Sequence, residues 1–329
     1  SLQAHELELA PLDLGAENVA LPSSLGCLLP TASAFASHRG LDLARPGRWG
    51  IVKLHGDAYF SASRVRAGLL RDAEAFYGNP PTLVDAEAAF SGAGSPLRRA
   101  QCLDDRAGCE ALARELGPQV KGLDGLLFPP VLGLDRHGQV RQWLAEALGM
   151  PIVESLAHLP SVPGVRLQRG LQAALKDAGV HSLGEVTGWR QEGGALENVT
   201  TRDNLEIRAA SFVLATGRFL SGGIVWRERC EEALFNLPVV TELGWLEQDS
   251  PSSVVRETPA EAHPLMTAGI KVNRRLQPIR EARPAFANLF AAGMVIGNFA
   301  SRYVMCADGV ALATGWLAGT HALSAARGG

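Results

Sequence analysis

Ala210-Ser211-Phe212-Val213-Leu214-Ala215-Thr216-Gly217 and Asn288-Leu289-Phe290-Ala291-Ala292-Gly293 decide how this chain folds. Each is a short apolar run that reads as a buried strand and stops at a glycine. Strands of this kind close a parallel sheet whose opening turn is a GxGxxG, since those glycines let the backbone approach a pyrophosphate at a helix N-terminus. None of the 36 glycines falls into a GxGxxG, so the chain reads as a truncated or degenerate version of that pattern.

Outward from these strands, composition sets broad bounds. The 329 residues are 47% hydrophobic with a formal net charge of −3, enough apolar material for one large or two smaller cores. There is no general basic field for nucleic acid and no block of like charges. The opening residues Ser1-Leu2-Gln3-Ala4-His5-Glu6 carry neither a positive nor an apolar leader region. Gly309 to Ala325 is uncharged but holds three glycines and a histidine. It falls short of the roughly 20 residues that span a bilayer, so it reads as a buried core helix. The cysteines at 27, 102, 109, 230 and 306 form no CxxC pair or cluster spacing, which points to reduced, cytoplasmic thiols and makes Cys306 a small core residue.

The organisation reads as α/β. Gly50-Ile51-Val52-Lys53-Leu54 is a strand, Ser61 to Phe76 a helix and Thr82-Leu83-Val84 the next strand. The rhythm repeats with a helix at Cys109 to Leu116, a strand at Gly125 to Phe128, a helix at Gln139 to Leu148 and a strand at Pro151-Ile152-Val153, and it favours a mostly parallel sheet. His55-Gly56-Asp57, after the first strand, stands where ligands often bind but reads as an ordinary turn. Residues 2–29 alternate as a half-buried strand does, notably at His5-Glu6-Leu7-Glu8-Leu9. From Ser161 a helix runs to near Gly179 with Val165, Leu167, Leu171 and Leu175 on one side. Strands then follow around Glu185-Val186, at Ala195 to Thr200 and at Leu205 to Ile207. Asp249 to Pro264, rich in proline and serine, reads as a mobile loop.

Three segments carry a resemblance: Leu159-Pro160-Ser161-Val162-Pro163-Gly164-Val165-Arg166-Leu167, Phe212 to Gly223 with its Ser221-Gly222-Gly223, and Asn288 to Gly293. In order and spacing the chain resembles the B subunit of anaerobic glycerol-3-phosphate dehydrogenase, a flavoprotein family related to the succinate dehydrogenase and fumarate reductase flavoproteins. A weaker similarity runs through Trp49 to Phe76 and Phe128 to Leu148. The glycine-rich strand and helix that open members of that family have no counterpart here. The resemblance implies an α/β architecture, a Rossmann-like flavin-binding fold, incomplete, with an inserted second α/β region and substrate-side strands. Its flavin-binding-type domain would comprise 161–224 and 281–329, the inserted region 49–160, and the substrate-side segments 1–48 and 225–280.

The resemblance also implies roles. FAD is the expected cofactor, with FMN or no flavin as alternatives. Val186 would run beside the adenine, Thr216 and Gly217 would lie close to the nucleotide, and Gly293 would let the chain pass under the flavin phosphate or ribose. Gly309 and Val310 would open the last helix toward the flavin, whose negative charge the helix N-terminus can stabilise. Asp308 there reads as the helix cap. Oxidising a phosphorylated secondary alcohol needs a base and cationic phosphate donors. His263 is the candidate base and Arg218 and Arg302 are candidate catalytic residues, with Arg227 and Lys271 nearby. The expected partners are the catalytic flavoprotein, or A, subunit and the iron–sulfur, or C, subunit, which pass electrons to quinone. The complex is expected at the inner face of the membrane, with this chain touching it only through those partners. A scaffold protein without flavin, or a flavin oxidoreductase for another substrate, are the competing readings.

Overall fold

The computed structural model describes residues 18–31, 34–41, 43, 46–90, 94–157, 160–246, 251–258, 260–300 and 307–328. His5 to Leu9, Leu159, Arg302 and Cys306 lie outside them. The chain divides into two compact units, Ser1–His181 and Ser182–Gly329.

The described part of the first unit opens with a hairpin, β1 (Val19–Pro22) against β2 (Leu28–Thr31). There follow β3 (Arg48–Leu54), α1 (Ala62–Tyr77), β4 (Thr82–Ala88), α2 (Pro96–Leu103), α3 (Arg106–Leu116), β5 (Gly125–Phe128), α4 (His137–Leu148), β6 (Ile152–Glu154) and α5 (Val162–Asp177). β4, β3, β5 and β6 lie in that order as one parallel sheet. Alternation along the strands sorts the core by face. Ile51, Leu83, Leu127 and Val153 pack with Val65, Leu69 and Ala73 of α1, while Val52, Ala86, Leu126, Phe128 and Ile152 pack with Leu112 of α3 and Leu144 of α4. With helices on both faces, the sheet carries near-continuous apolar strands, as buried parallel strands must. The βαβ rhythm expected from sequence is therefore present, and α2 is an addition to it. Local chemistry sets the ends: Ser61 and Ser161 accept from the amides of Arg64 and Gly164 to cap α1 and α5, and Gly78 and Gly149 close α1 and α4 in the left-handed conformation.

The four apolar residues expected to share a side of α5 do not form its buried side. Val162, Pro163, Arg166 and Gly170 face inward, whereas Leu171 and Leu175 are exposed. On the buried side, Arg166 makes an ion pair with Glu154.

The second unit begins with an antiparallel sheet of β7 (Val186–Glu192), β8 (Ala195–Thr201) and β9 (Glu206–Arg208). β10 (Phe212–Leu214) is followed by the antiparallel pair β11 (Ile224–Trp226) and β12 (Cys230–Glu232). β13 (Val239–Thr241) lies between β14 (Gly244–Trp245) and β15 (Gly269–Ile270), and β16 (Ile279–Arg280) pairs with β17 (Arg283–Pro284). β18 (Leu289–Ala291) returns to lie parallel to β10, and α6 (Ala307–Ala326) packs on that pair. A core of Leu196, Leu214, Phe235, Phe286 and Leu289 holds these strands together, with Trp189, Phe235 and Phe286 in mutual ring contact. Where the chain crosses itself, a Cβ placed on Gly269 would stand 2.4 Å from the Gly297 nitrogen, and one on Gly297 would stand 2.8 Å from the Gly269 oxygen. Backbone there lies directly on backbone.

One further expectation changes. α6 is not a buried core helix: Ala318 and Ala322 are its buried residues, while Leu312, Trp316, Leu317 and Leu323 are exposed. Apolar residues around its whole circumference gave the sequence reading no face to prefer. Within Asp249 to Pro264, Pro251–Val254 forms a 3-10 turn and Val254 is buried beside Ile224 and Ala268. Of the segments assigned above to a flavin-type domain, α5 lies in the first unit and 182–224 and 281–329 lie in the second. No helix of the described residues is long and apolar enough to cross a membrane.

Candidate functional site

Parallel pairing of β10 with β18, in register Phe212↔Leu289 to Leu214↔Ala291, brings the carboxyl ends of the two opening segments side by side. One residue further on, the Ala292 amide donates to the Leu214 carbonyl at 2.9 Å, so Thr216-Gly217 and Gly293 leave the same end of the pair. Asn288 fixes the other end: its side-chain oxygen accepts from the Leu196 amide at 2.8 Å, and its amide donates to the carbonyls of Leu196 and Ala210. No role could be read for Asn288 from its sequence, although a polar residue at the mouth of a buried strand is the signal to look for.

The two glycines differ. Gly217 has φ +76° and a Cβ there would meet the Ser221 oxygen at 2.1 Å, because residues 217–223 fold back on themselves. Gly222 closes the intervening 3-10 turn, and the Gly223 amide donates to the Arg218 carbonyl at 3.0 Å. Ser221-Gly222-Gly223 is thus a self-contained turn. Gly293 also has a positive φ, +72°, but a Cβ there meets no atom of the described residues within 4 Å. Its amide donates to the Thr314 hydroxyl at 2.7 Å, and that hydroxyl donates to the Val310 carbonyl at 2.5 Å, which ties Gly293 to the first turns of α6. Gly309 likewise has none of the described residues within 4 Å of where its Cβ would stand. Asp308 is the second residue of α6 rather than its cap, a position where a carboxylate still suits the helix dipole. Val186, half-buried, stands at the end of β7 away from the Glu192–Ala195 hairpin and pairs with Thr201.

Arg218 spends its guanidinium on main-chain carbonyls. Nε donates to Met294 at 2.8 Å, Nη2 to Ile296 at 3.1 Å and to Phe299 at 2.9 Å, and Nη1 to Met266. Its carbon lies 4.5 Å above the Phe299 ring, and burial pushes its pKa below the ordinary arginine value. The residue therefore binds the Gly217 turn to the chain that follows Gly293. His263 precedes the 3-10 turn Pro264–Thr267, and its Nδ1 accepts from the Arg256 amide at 2.9 Å. Arg227 is engaged with Glu231 and Asn236, and Lys271 accepts at its carbonyl from the Ile279 amide. Arg302 lies outside the described residues. Among those residues no group of three histidine, cysteine or acidic side chains is placed to hold a metal, and Cys27, Cys102, Cys109 and Cys230 are free thiols.

The sequence pattern of the FAD binding domain family matches residues 69–310. The chain belongs to that family. Its mixed α/β architecture with parallel strands is that of a Rossmann-like flavin-binding fold, and membership of the FAD binding domain family supports FAD as the cofactor. Among the described residues, no atom lies within 4 Å of a Cβ placed on Gly293 or Gly309, and that room fits such a group. Among curated relatives, the chain is 31% identical over 286 residues to the probable B subunit of anaerobic glycerol-3-phosphate dehydrogenase from Halobacterium salinarum, covering 83% of this chain and 59% of that protein. It is 29% identical over 231 residues to the B subunit of the anaerobic glycerol-3-phosphate dehydrogenase of Haemophilus ducreyi, covering 67% and 54%. With the protein of the same name from Pectobacterium atrosepticum it shares 32% over 221 residues, covering 65% and 50%. The chain thus spans between half and three fifths of the length of these relatives. No solved structure matches it.

Proposed function

We propose that this FAD binding domain protein is the flavin-dependent B subunit of an anaerobic glycerol-3-phosphate dehydrogenase. It would pass electrons from glycerol-3-phosphate oxidation toward quinone, in a complex with the catalytic flavoprotein and iron–sulfur subunits. The observation that carries the reading is the β10–β18 pair, which delivers the Thr216-Gly217 turn and Gly293 to one end beside the first turns of α6. The relatives named for that enzyme support the substrate, and their naming as one subunit of it supports the partners. Bound FAD supplies the two-electron acceptor. Gly293 and Gly309 leave room for it, Thr314 fixes Gly293 against α6, Arg218 holds the Gly217 turn in place, and Val186 flanks the adenine side. His263 is the proposed base. The flavin-type domain is built from 182–224 and 281–329, with 225–280 on the substrate side. The complex sits at the cytoplasmic face of the cell membrane through its partners.

The test is the visible spectrum of the product of the full-length gene, with the released cofactor identified by mass, before and after glycerol-3-phosphate is added together with the partner subunits. Oxidised flavin bands, FAD in the released fraction and bleaching by glycerol-3-phosphate are expected. A colourless protein that takes up no added FAD would overturn the redox role, and bands that glycerol-3-phosphate leaves unchanged would overturn the substrate.

A further inference from the structure

Resting on the reading of this chain as one subunit of a complex, we propose that the surface formed by residues 271–284 docks an acidic face of a partner subunit. The sequence there holds Lys271, Arg274, Arg275, Arg280 and Arg283 with Glu281 as its one acid, in a chain whose net charge is −3. The backbone gathers them. The Ile279 amide donates to the Lys271 carbonyl at 2.9 Å and the Asn273 amide to the Gln277 carbonyl at 3.0 Å, so 271–273 runs antiparallel to 277–280. β16 then pairs with β17, which sets Arg280 directly opposite Arg283. The result is a small meander with Arg274 and Arg275 at one turn and the Arg280–Arg283 pair at the other. All four arginines are exposed.

Two observations separate this surface from ordinary solvated charge. Like charges set opposite one another across strands repel, and among the described residues no carboxylate pairs with Arg274, Arg275, Arg280 or Arg283. Arg202, Arg208, Arg227 and Arg229 of the same unit each pair with a glutamate instead. The second observation is rigidity. Of the six non-glycine residues with positive φ among the described residues, three, Leu276, Glu281 and Ala282, form these two turns. The Asn273 side chain ties the first turn by accepting from the Arg275 and Gln277 amides, and the Gln277 side chain donates to the Ala287 carbonyl. Arg280 donates to the Phe235 carbonyl at 3.0 Å. Guanidiniums fixed in this way suit carboxylates, whose planar geometry they match better than an ammonium does. Arginine is also enriched where proteins meet, and relatives named as one subunit of an enzyme supply the reason for a protein partner. A lipid surface fits less well. Between Val255 and Leu312 no large apolar side chain of the described residues is exposed, so the surface lacks the apolar anchor that membrane-bound basic segments add to their charge.

The test measures binding of the full-length protein to the catalytic flavoprotein and iron–sulfur subunits across a range of salt. It compares the wild type, the triple variant Arg274→Glu/Arg275→Glu/Arg283→Glu and, as a control, Arg190→Glu at an exposed position on β7. Wild-type affinity is expected to fall about tenfold as salt rises from about 50 to 300 mM, as charge-steered contacts do. The triple variant should bind about tenfold more weakly at low salt, with a flatter salt dependence and unchanged flavin content, while Arg190→Glu matches the wild type. Hydrogen exchange should slow across 271–284 when the partners are added. Equal affinity in the triple variant overturns the docking and leaves the subunit assignment standing, whereas a wild type that binds neither partner overturns both. Protection of 271–284 already complete in the isolated protein would assign the surface to its own chain. Wild-type flotation with phosphatidylglycerol vesicles, lost in the triple variant, would assign it to a membrane. Either result overturns the proposal.

Discussion

Glu154 is wholly buried at the end of β6, and its carboxylate is tolerated there because Arg166 grips both oxygens while the Leu132 amide donates at 2.7 Å. Burial works to raise its pKa, and the Arg166 charge with these hydrogen bonds overrides it, leaving the group below the ordinary carboxylate value. His38 lies alongside, its Nδ1 3.0 Å from the Glu154 carbonyl; burial holds its pKa below the ordinary 6.5 despite the nearby Glu154 charge. Both shifts have the same consequence. The unfolded chain takes up protons that the folded chain refuses, so His38 contributes stability that is complete above about pH 6.5 and is lost as the pH falls toward its lower folded value. Glu154 contributes stability that is lost only in stronger acid, below the ordinary carboxylate range. The urea midpoint is therefore expected to decline from pH 7.5 to 5, and His38→Asn to flatten that decline. Arg166→Met, which strands a buried carboxylate, should cost about 3–5 kcal/mol at pH 7. A midpoint level across this range in the wild type would contradict a buried neutral His38.

At the scale of elements, the loop that leaves β18 and the turn that leaves β10 use glycine for different reasons, and substitution separates them. Gly293→Ala forces a left-handed alanine but meets none of the described residues, so it should cost only the backbone strain of about 1–2 kcal/mol. Its methyl group would enter the open ground proposed for FAD, so flavin affinity is expected to fall by more than stability does. Gly217→Ala adds a collision with Ser221 to the same strain, so stability should suffer most there. Urea unfolding and FAD titration by fluorescence quenching, run on both variants, check the contrast. Much of this was legible in the sequence: both strands, their glycine ends and the run from β3 to β6 followed from apolar runs and their punctuation. What could not be read was long-range. Arg218 looked like a substrate cation, yet it holds four carbonyls from segments some 50 to 80 positions away. On the inward side of α5, Arg166 pairs with a carboxylate on another element. None of these partners shares a local period with the residue it governs.

For the whole molecule, the division after His181 falls in a stretch, 180–185, that is exposed and free of regular structure. Leu183 is 45% exposed there, a large apolar side chain in an accessible link. Such segments are where proteases nick folded chains. Brief chymotrypsin treatment is expected to cut first at Leu183 and release two fragments of roughly the sizes of the two units, read by mass spectrometry. Early cutting inside β3 to β6 would show that the parallel sheet is not the stable body its packing implies.

The crossing of Gly269 and Gly297 leaves a mark on inheritance. Because each backbone occupies the space where the other's side chain would start, neither position can drift alone. Chains that keep the crossing should hold both glycines, and chains that lose one should lose the crossing and tolerate change at the other. Two single-letter positions 28 residues apart therefore serve as a paired marker for this path of the backbone, readable in any newly determined sequence before its structure is known.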